Sequence, residues 1–138
     1  MSSFFTLNAD LHCHSVVSDG TLTPEALAER AKANGVHLWA LTDHDELGGQ
    51  HRAREAAKSL NIDYVSGVEI SVTWAGQTIH IVGLGIDANH LGIVEGLRRT
   101  RGGRGDRARL MADQLLKVGI PGAYEGALHF AGNPELIS

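Results

Sequence analysis

Asp10-Leu11-His12-Cys13-His14 closes an N-terminal run, residues 4–11, that reads as a buried β-strand. Side chains alternate between the two faces of a strand, so Asp10, His12 and His14 emerge together while Leu11 and Cys13 turn the other way. Two imidazoles and a carboxylate on one buried face need partners. Burial without them costs on the order of several kcal/mol, and a cation supplies the compensation directly. Satisfied core histidines are the alternative for this stretch taken alone.

The same kind of residue returns at later strand ends. Thr23-Pro24-Glu25 opens a helix with a capping hydroxyl, a proline in the first turn and an early acid, and Gly35 stops it. Residues 37–42 are a short apolar run, suited to a parallel strand buried on both faces, which delivers Asp43-His44-Asp45. Residues 48–60 read as a helix and 64–69 as a third strand ending in Glu69. Residues 70–84 read as two strands joined at Ala75-Gly76, with His80 in the second. Strands alternating with helices predict an α/β chain, and polar groups at strand ends mark the face where βα-barrel active sites gather.

The chain has 138 residues, 43% hydrophobic and 20% charged, within the range of one ordinary globular domain. No apolar stretch has the length of a membrane span and no secretory signal is visible, so the expected location is the cytoplasm, with no membrane partner. The single cysteine, Cys13, reads as packing. Residues 1–97 hold 5 Lys/Arg against 12 Asp/Glu and residues 98–138 hold 7 against 4, so an acidic body of −7 carries a basic appendage of +3. The acidic body suits bound cations and the appendage an anionic substrate. Residues 91–101 and 106–118 are helical in composition, separated by Gly102, Gly103 and Gly105, with Gly119 as a stop. Asn133-Pro134-Glu135 reads as a helix start three residues before Ser138, the pattern expected of a truncated chain.

Six candidate ligands, His12, His14, Asp19, His44, Glu69 and His80, offer nitrogen or carboxylate oxygen and no thiolate. That set suits manganese, zinc or iron better than a structural zinc finger. Four of the six would saturate one tetrahedral ion, so two or three divalent ions are expected. Glu69 has two oxygens with which to bridge neighbours.

These motifs resemble the polymerase and histidinol phosphatase (PHP) family of metal-dependent phosphoesterases. Asp10-Leu11-His12-Cys13-His14-Ser15 resembles its first motif, Ser18-Asp19-Gly20 the loop behind it, and Thr42-Asp43-His44-Asp45 the second. Gly67-Val68-Glu69-Ile70 and His80-Ile81-Val82-Gly83-Leu84 resemble the next two. The resemblance covers residues 8–87 with order and spacing intact. It implies the N-terminal half of a distorted seven-stranded (β/α)7 barrel over residues 1–87, with a metal centre at its mouth. His12 and His14 would hold one ion, Glu69 would bridge it to an ion on His80, and Asp19 with His44 would hold a third. Asp43 is the expected catalytic residue, placed with Asp10 among groups that orient the ligands.

The family's later motifs, a His-Pro histidine and a terminal Asp-x-His, do not occur in these 138 residues, and His129 is followed by Phe130. The remaining half of the barrel is therefore expected from a full-length protein. Residues 88–138 resemble the start of a helical insertion found in a subgroup that includes nucleoside 3′,5′-bisphosphate phosphatases and exonucleases acting from the 5′ end of short RNA. Tyr124-Glu125-Gly126-Ala127-Leu128 and Gly132-Asn133-Pro134 are similar to pieces of it.

Six arginines fall between Arg98 and Arg109. Arg98, Arg99, Arg101 and Arg104 are candidate phosphate contacts because a guanidinium grips phosphate oxygens with a fork of donors. A solvated helical face is the competing reading. No aromatic residue interleaves with them, which favours a small nucleotide or short RNA end over long single strands. The expected chemistry is phosphomonoester hydrolysis by a metal-bound hydroxide. Alternatives are a histidinol phosphatase, an amidohydrolase, and a non-catalytic metal- or nucleotide-binding module.

Overall fold

A computed structural model of the chain describes residues 6–131 and 137. Three short parallel strands, β1 (Ala9–Asp10), β2 (Leu38–Trp39) and β3 (Asp63–Tyr64), lie side by side in that order. They are linked by α1 (Pro24–Ala33) and α2 (Gln50–Ser59), so the unit runs β-α-β-α-β. An antiparallel hairpin follows, β4 (Gly67–Trp74) paired with β5 (Gln77–Leu84). Three helices complete the described residues: α3 (Leu91–Gly102), α4 (Arg104–Lys117) and α5 (Ala123–Phe130).

The local signals for α1 act as expected. Thr23 Oγ1 accepts a hydrogen bond from the Ala26 N–H at 3.2 Å, and the chain leaves the helix through Gly35 at φ +71°. Residues Ala28 and Ala31 of α1 and Ala53 and Ala57 of α2 are buried at one-turn spacing. These small side chains pack with Trp39, Leu41, Val36 and Ile62 into the core, with Cys13 and Tyr64 at its margin. The Trp39 and Tyr64 rings meet at 5.4 Å between centroids.

Four expectations change. The first strand is shorter than residues 4–11, of which 1–5 lie outside the described residues, and residues 6–9 are exposed. The side chains of β1 therefore do not sit on a buried face, and the coil of residues 11–15 carries the two histidines. The third strand breaks at residues 65–66, so Glu69 lies inside β4 rather than at a strand end. The chain nonetheless keeps running beside β2, because Asp45 N–H donates to Glu69 O at 2.9 Å and Glu69 N–H to Asp43 O at 3.2 Å. Gly103 alone separates α3 from α4, so Gly105 is helical, and α5 was not anticipated as a helix. The Ala75-Gly76 turn is as expected, with φ of +49° and +78°. The expected helix start at Asn133-Pro134-Glu135 lies outside the described residues.

Gln50 joins the sheet to the hairpin. Its side-chain nitrogen donates to Leu41 O at 2.9 Å and Gly67 O at 2.8 Å, and its oxygen accepts from Tyr64 Oη at 2.8 Å and Gly67 N–H at 3.3 Å. Replacement by an apolar side chain strands these buried partners. Gln50→Leu is expected to lower the unfolding free energy by about 2–4 kcal/mol, seen as a lower urea midpoint at unchanged m-value. Burial pushes the Cys13 thiol up to about 11, against the Trp39 indole N–H that donates to its sulfur at 3.2 Å. Cys13 is expected to resist iodoacetamide at pH 8 in the folded protein and to react once urea unfolds it.

Candidate metal centre

The coil of residues 11–20 wraps over the end of β2 and turns back on itself at Gly20. A Cβ at Gly20 would lie 2.1 Å from His14 O, so only glycine permits this closure, which brings Asp19 beside His14. Beneath the loop, Asp43 is fully buried and accepts hydrogen bonds from Ser15 N–H at 2.6 Å, Ser15 Oγ at 2.8 Å and Ser18 Oγ at 2.7 Å. Burial raises its carboxyl above the usual range, opposed by those three donors.

Above this floor the six candidate ligands converge. Glu69 Oε2 stands 2.7 Å from His12 Nε2, 2.9 Å from His14 Nε2 and 3.8 Å from His44 Nδ1. Its other oxygen, Oε1, is 2.9 Å from His80 Nδ1. Asp19 reaches His14 Nδ1 at 3.2 Å and His44 Nε2 at 3.7 Å. Three overlapping triads result, each with its ligand atoms within 4.8 Å of one another: His12, His14 and Glu69; His14, Asp19 and His44; His44, Glu69 and His80. The overlap joins His12, His14, Glu69 and His80 and also ties His44 to Glu69.

The donor arrangement fits divalent cations. His12 Nε2 and His14 Nε2 lie 3.1 Å apart, so ring nitrogens point at a shared spot, and the buried Nδ1 atoms of His14 and His44 lack a hydrogen bond of good geometry. Burial lowers the basicity of His44, aided by the neighbouring imidazoles and opposed by Glu69 and Asp19, which favours the neutral ring that can ligate. Burial opposes ionisation of Glu69, yet the His12 bond and the surrounding imidazoles carry its carboxyl below the usual value.

Asp43 and Asp10, both expected to orient the ligands, lie in different surroundings. Asp43, expected as catalytic, has its carboxylate committed to Ser15 and Ser18 beneath the ligands, so its part is to hold the loop. Asp10 touches no ligand ring among the bonds described. It meets the His12 backbone N–H at 3.5 Å, because β1 ends before the histidines.

The arginines also separate. Arg104 is buried and donates to Asp45 Oδ2 and, at 2.9 Å, to Ser71 Oγ. Arg101 donates to Asp45 O and pairs with Glu46 at 3.3 Å. Arg98 and Arg99 are exposed. A cavity of about 320 Å³ is lined by Asp19, His44 and His80 together with Ser71, Thr78, Arg104 and Arg107. Of the six clustered arginines, Arg104 and Arg107 line it, together with Ser71 and Thr78, which the sequence reading did not single out.

Asp45 was quoted in a motif without a role, and it links these parts. Fully buried at φ +52°, it accepts from Ser71 N–H at 2.7 Å as well as from Arg104 and, through its carbonyl, Arg101.

A short α/β unit with strand-associated imidazoles and carboxylates gathered around one shared carboxylate defines a candidate polynuclear metal centre. Residues 10–121 match the PHP domain, and the chain belongs to that family. It is 48% identical over 131 residues to a 3′,5′-nucleoside bisphosphate phosphatase of Chromobacterium violaceum, covering 95% of this chain and 46% of that protein. It is 48% identical over 122 residues to a 5′-3′ exoribonuclease of Haemophilus influenzae, covering 88% of this chain and 44% of that protein. A solved structure described as an amidohydrolase from Chromobacterium violaceum, with bound sulfate and no metal, superposes with a TM-score of 0.89 at 48% identity, over 95% of this chain and 46% of that one. The chain thus spans less than half the length of these relatives.

Glu69→Gln keeps the shape of the side chain and removes its charge. The variant is expected to retain fewer divalent ions per chain after dialysis, measured by elemental analysis, while His51→Ala on the outer side of α2 leaves the content unchanged.

Proposed function

We propose that the protein hydrolyses phosphomonoesters of nucleotides, such as a nucleoside 3′,5′-bisphosphate or the 5′ end of a short RNA. The observation that carries this reading is the division of the Glu69 carboxylate, whose two oxygens face different imidazoles as a bridging ligand requires. His12 and His14 on one side of Glu69, His80 on the other, and Asp19 with His44 would hold two or three divalent ions, manganese, zinc or iron. Bound ions supply a nucleophile at neutral pH and offset charge on the phosphoryl oxygens.

The chain's own groups prepare that site. Asp43 fixes the Ser15–Ser18 turn, and with it the approach of Asp19. Asp10 supports the backbone at His12. The cavity falls at the small end of ligand pockets, which run to roughly 300–1,000 Å³. Membership of the PHP family and the activities for which the relatives are named support a phosphatase or exonuclease. We assign residues 1–87 to the barrel and 88–138 to the start of the insertion, with further ligands contributed by a C-terminal half of the barrel in the full-length protein. A cytoplasmic site of action goes with such substrates.

The full-length protein loaded with manganese is expected to release inorganic phosphate from adenosine 3′,5′-bisphosphate, to lose this activity with EDTA and to regain it with manganese. Histidinol phosphate assayed beside it should be the poorer substrate. Failure to release phosphate from any nucleotide, in protein that retains its ions, overturns the reading.

A further inference from the structure

The ladder that carries Glu69 to the ligand cluster has one irregular rung. Asp63 N–H donates to His37 O and Val65 N–H to Trp39 O, both at 2.9 Å, and four residues on Glu69 N–H donates to Asp43 O at 3.2 Å. At the step between, Gly67 N–H donates to the side-chain oxygen of Gln50 at 3.3 Å. The Gln50 nitrogen meets the facing acceptors, Leu41 O at 2.9 Å and Gly67 O at 2.8 Å. A buried side-chain amide thus takes the place of a backbone rung two residues before Glu69. Tyr64 Oη donates to the same oxygen at 2.8 Å, so both N–H groups and both lone pairs of the amide are used. The start of α2 comes close enough for this because residue 49 is glycine: a Cβ there would lie 2.8 Å from Leu41 Cδ2 and 3.0 Å from Asp43 Oδ2.

We propose that Gln50 is a positioning residue for the metal centre: its amide sets the spacing between residues 41 and 67, and so which imidazoles the two oxygens of Glu69 reach. The proposal rests on the metal-binding reading of the Glu69 cluster and extends it to a side chain whose described bonds go to Leu41, Tyr64 and Gly67 alone. A fully satisfied planar amide admits one geometry, because turning it leaves buried donors and acceptors unpaired. Glu69 needs that precision. Its Oε2 stands within 2.9 Å of two imidazoles while its Oε1 stands 2.9 Å from a third, so a shift along or across the ladder gains one contact only by losing another. Without the amide, Leu41 O, Gly67 O and Gly67 N–H are left facing one another. The vacant rung then closes by direct pairing of Gly67 N–H with Leu41 O, which draws the start of β4 toward β2 and displaces Glu69 two residues further on.

The test is manganese binding by the full-length protein, with the dissociation constant read by calorimetry and the magnetic coupling between bound ions by electron paramagnetic resonance. In Gln50→Leu the affinity is expected to fall on the order of 10- to 100-fold, the usual effect of losing a group that orients a metal ligand. The coupling signal should weaken with it. Ile62→Ala, which thins the core away from this rung, supplies a control for general destabilisation and should keep both the affinity and the coupling. Gln50→Glu keeps the shape and changes the donors: an ionised carboxylate faces two carbonyl oxygens, and protonation restores one donor. Its affinity relative to wild type at the same pH is therefore expected to recover as the pH falls. Unchanged affinity and coupling in Gln50→Leu, an equal loss in Ile62→Ala, or a ratio independent of pH in Gln50→Glu overturns the proposal alone. Wild-type protein that binds no manganese overturns the metal-centre reading and the proposal with it.

Discussion

The site depends on a pair of backbone hydrogen bonds between Glu69 and the segment around His44. Asp45 N–H to Glu69 O and Glu69 N–H to Asp43 O put residues 44 and 69 in register as a parallel bridge. Side chains alternate along extended chain, so a slip of one residue would turn Glu69 to the other face and away from all four imidazoles. Gln50 reinforces the register by bonding Leu41 O and Gly67 O at once, which closes the gap where β2 gives way to β4.

Around the ligands lie buried polar groups, Ser15, Asp43, Asp45, Gln50 and Arg104. Such groups are poor sources of net stability, since desolvation offsets most of what their pairing returns. Their effect here is geometric. Asp43 holds the loop that carries Asp19, and Asp45 holds both β4, through Ser71 N–H, and the helical segment, through Arg104. Asp45 adopts φ +52°, a conformation that disfavours most residues but is tolerated by a short polar side chain with local partners. Strain placed between a ligand and an ion pair is retained because several contacts fix it at once.

Much of the fold was legible locally. Thr23, Pro24 and Gly35 bound α1 by capping chemistry that needs no neighbour, and Ala75-Gly76 turned the hairpin where expected. The first strand was over-read because apolar residues 4–11 resemble a buried strand, while residues 6–9 find no cover among the described residues. Helix α5 escaped because its eight residues include Gly126 and two aromatics, a composition that carries little helical preference. The arginines misled for a related reason: a run of like charges reveals its composition, and only the packed helix shows which guanidinium a carboxylate takes.

From the sequence alone came the chemical identity and order of the donors, His12, His14, Asp19, His44, Glu69 and His80, and with them the PHP resemblance, because motifs and caps are encoded by neighbouring residues. Tertiary structure decided that Asp43 bonds to the loop from beneath, that Asp45 links sheet to helix, and that Arg104 pairs with Asp45 while Arg107 lines the cavity. Those outcomes depend on contacts between residues 25 to 59 positions apart, such as Ser18 with Asp43 and Asp45 with Arg104. No local pattern specifies such distances; the register of the strands and the packing of α4 do.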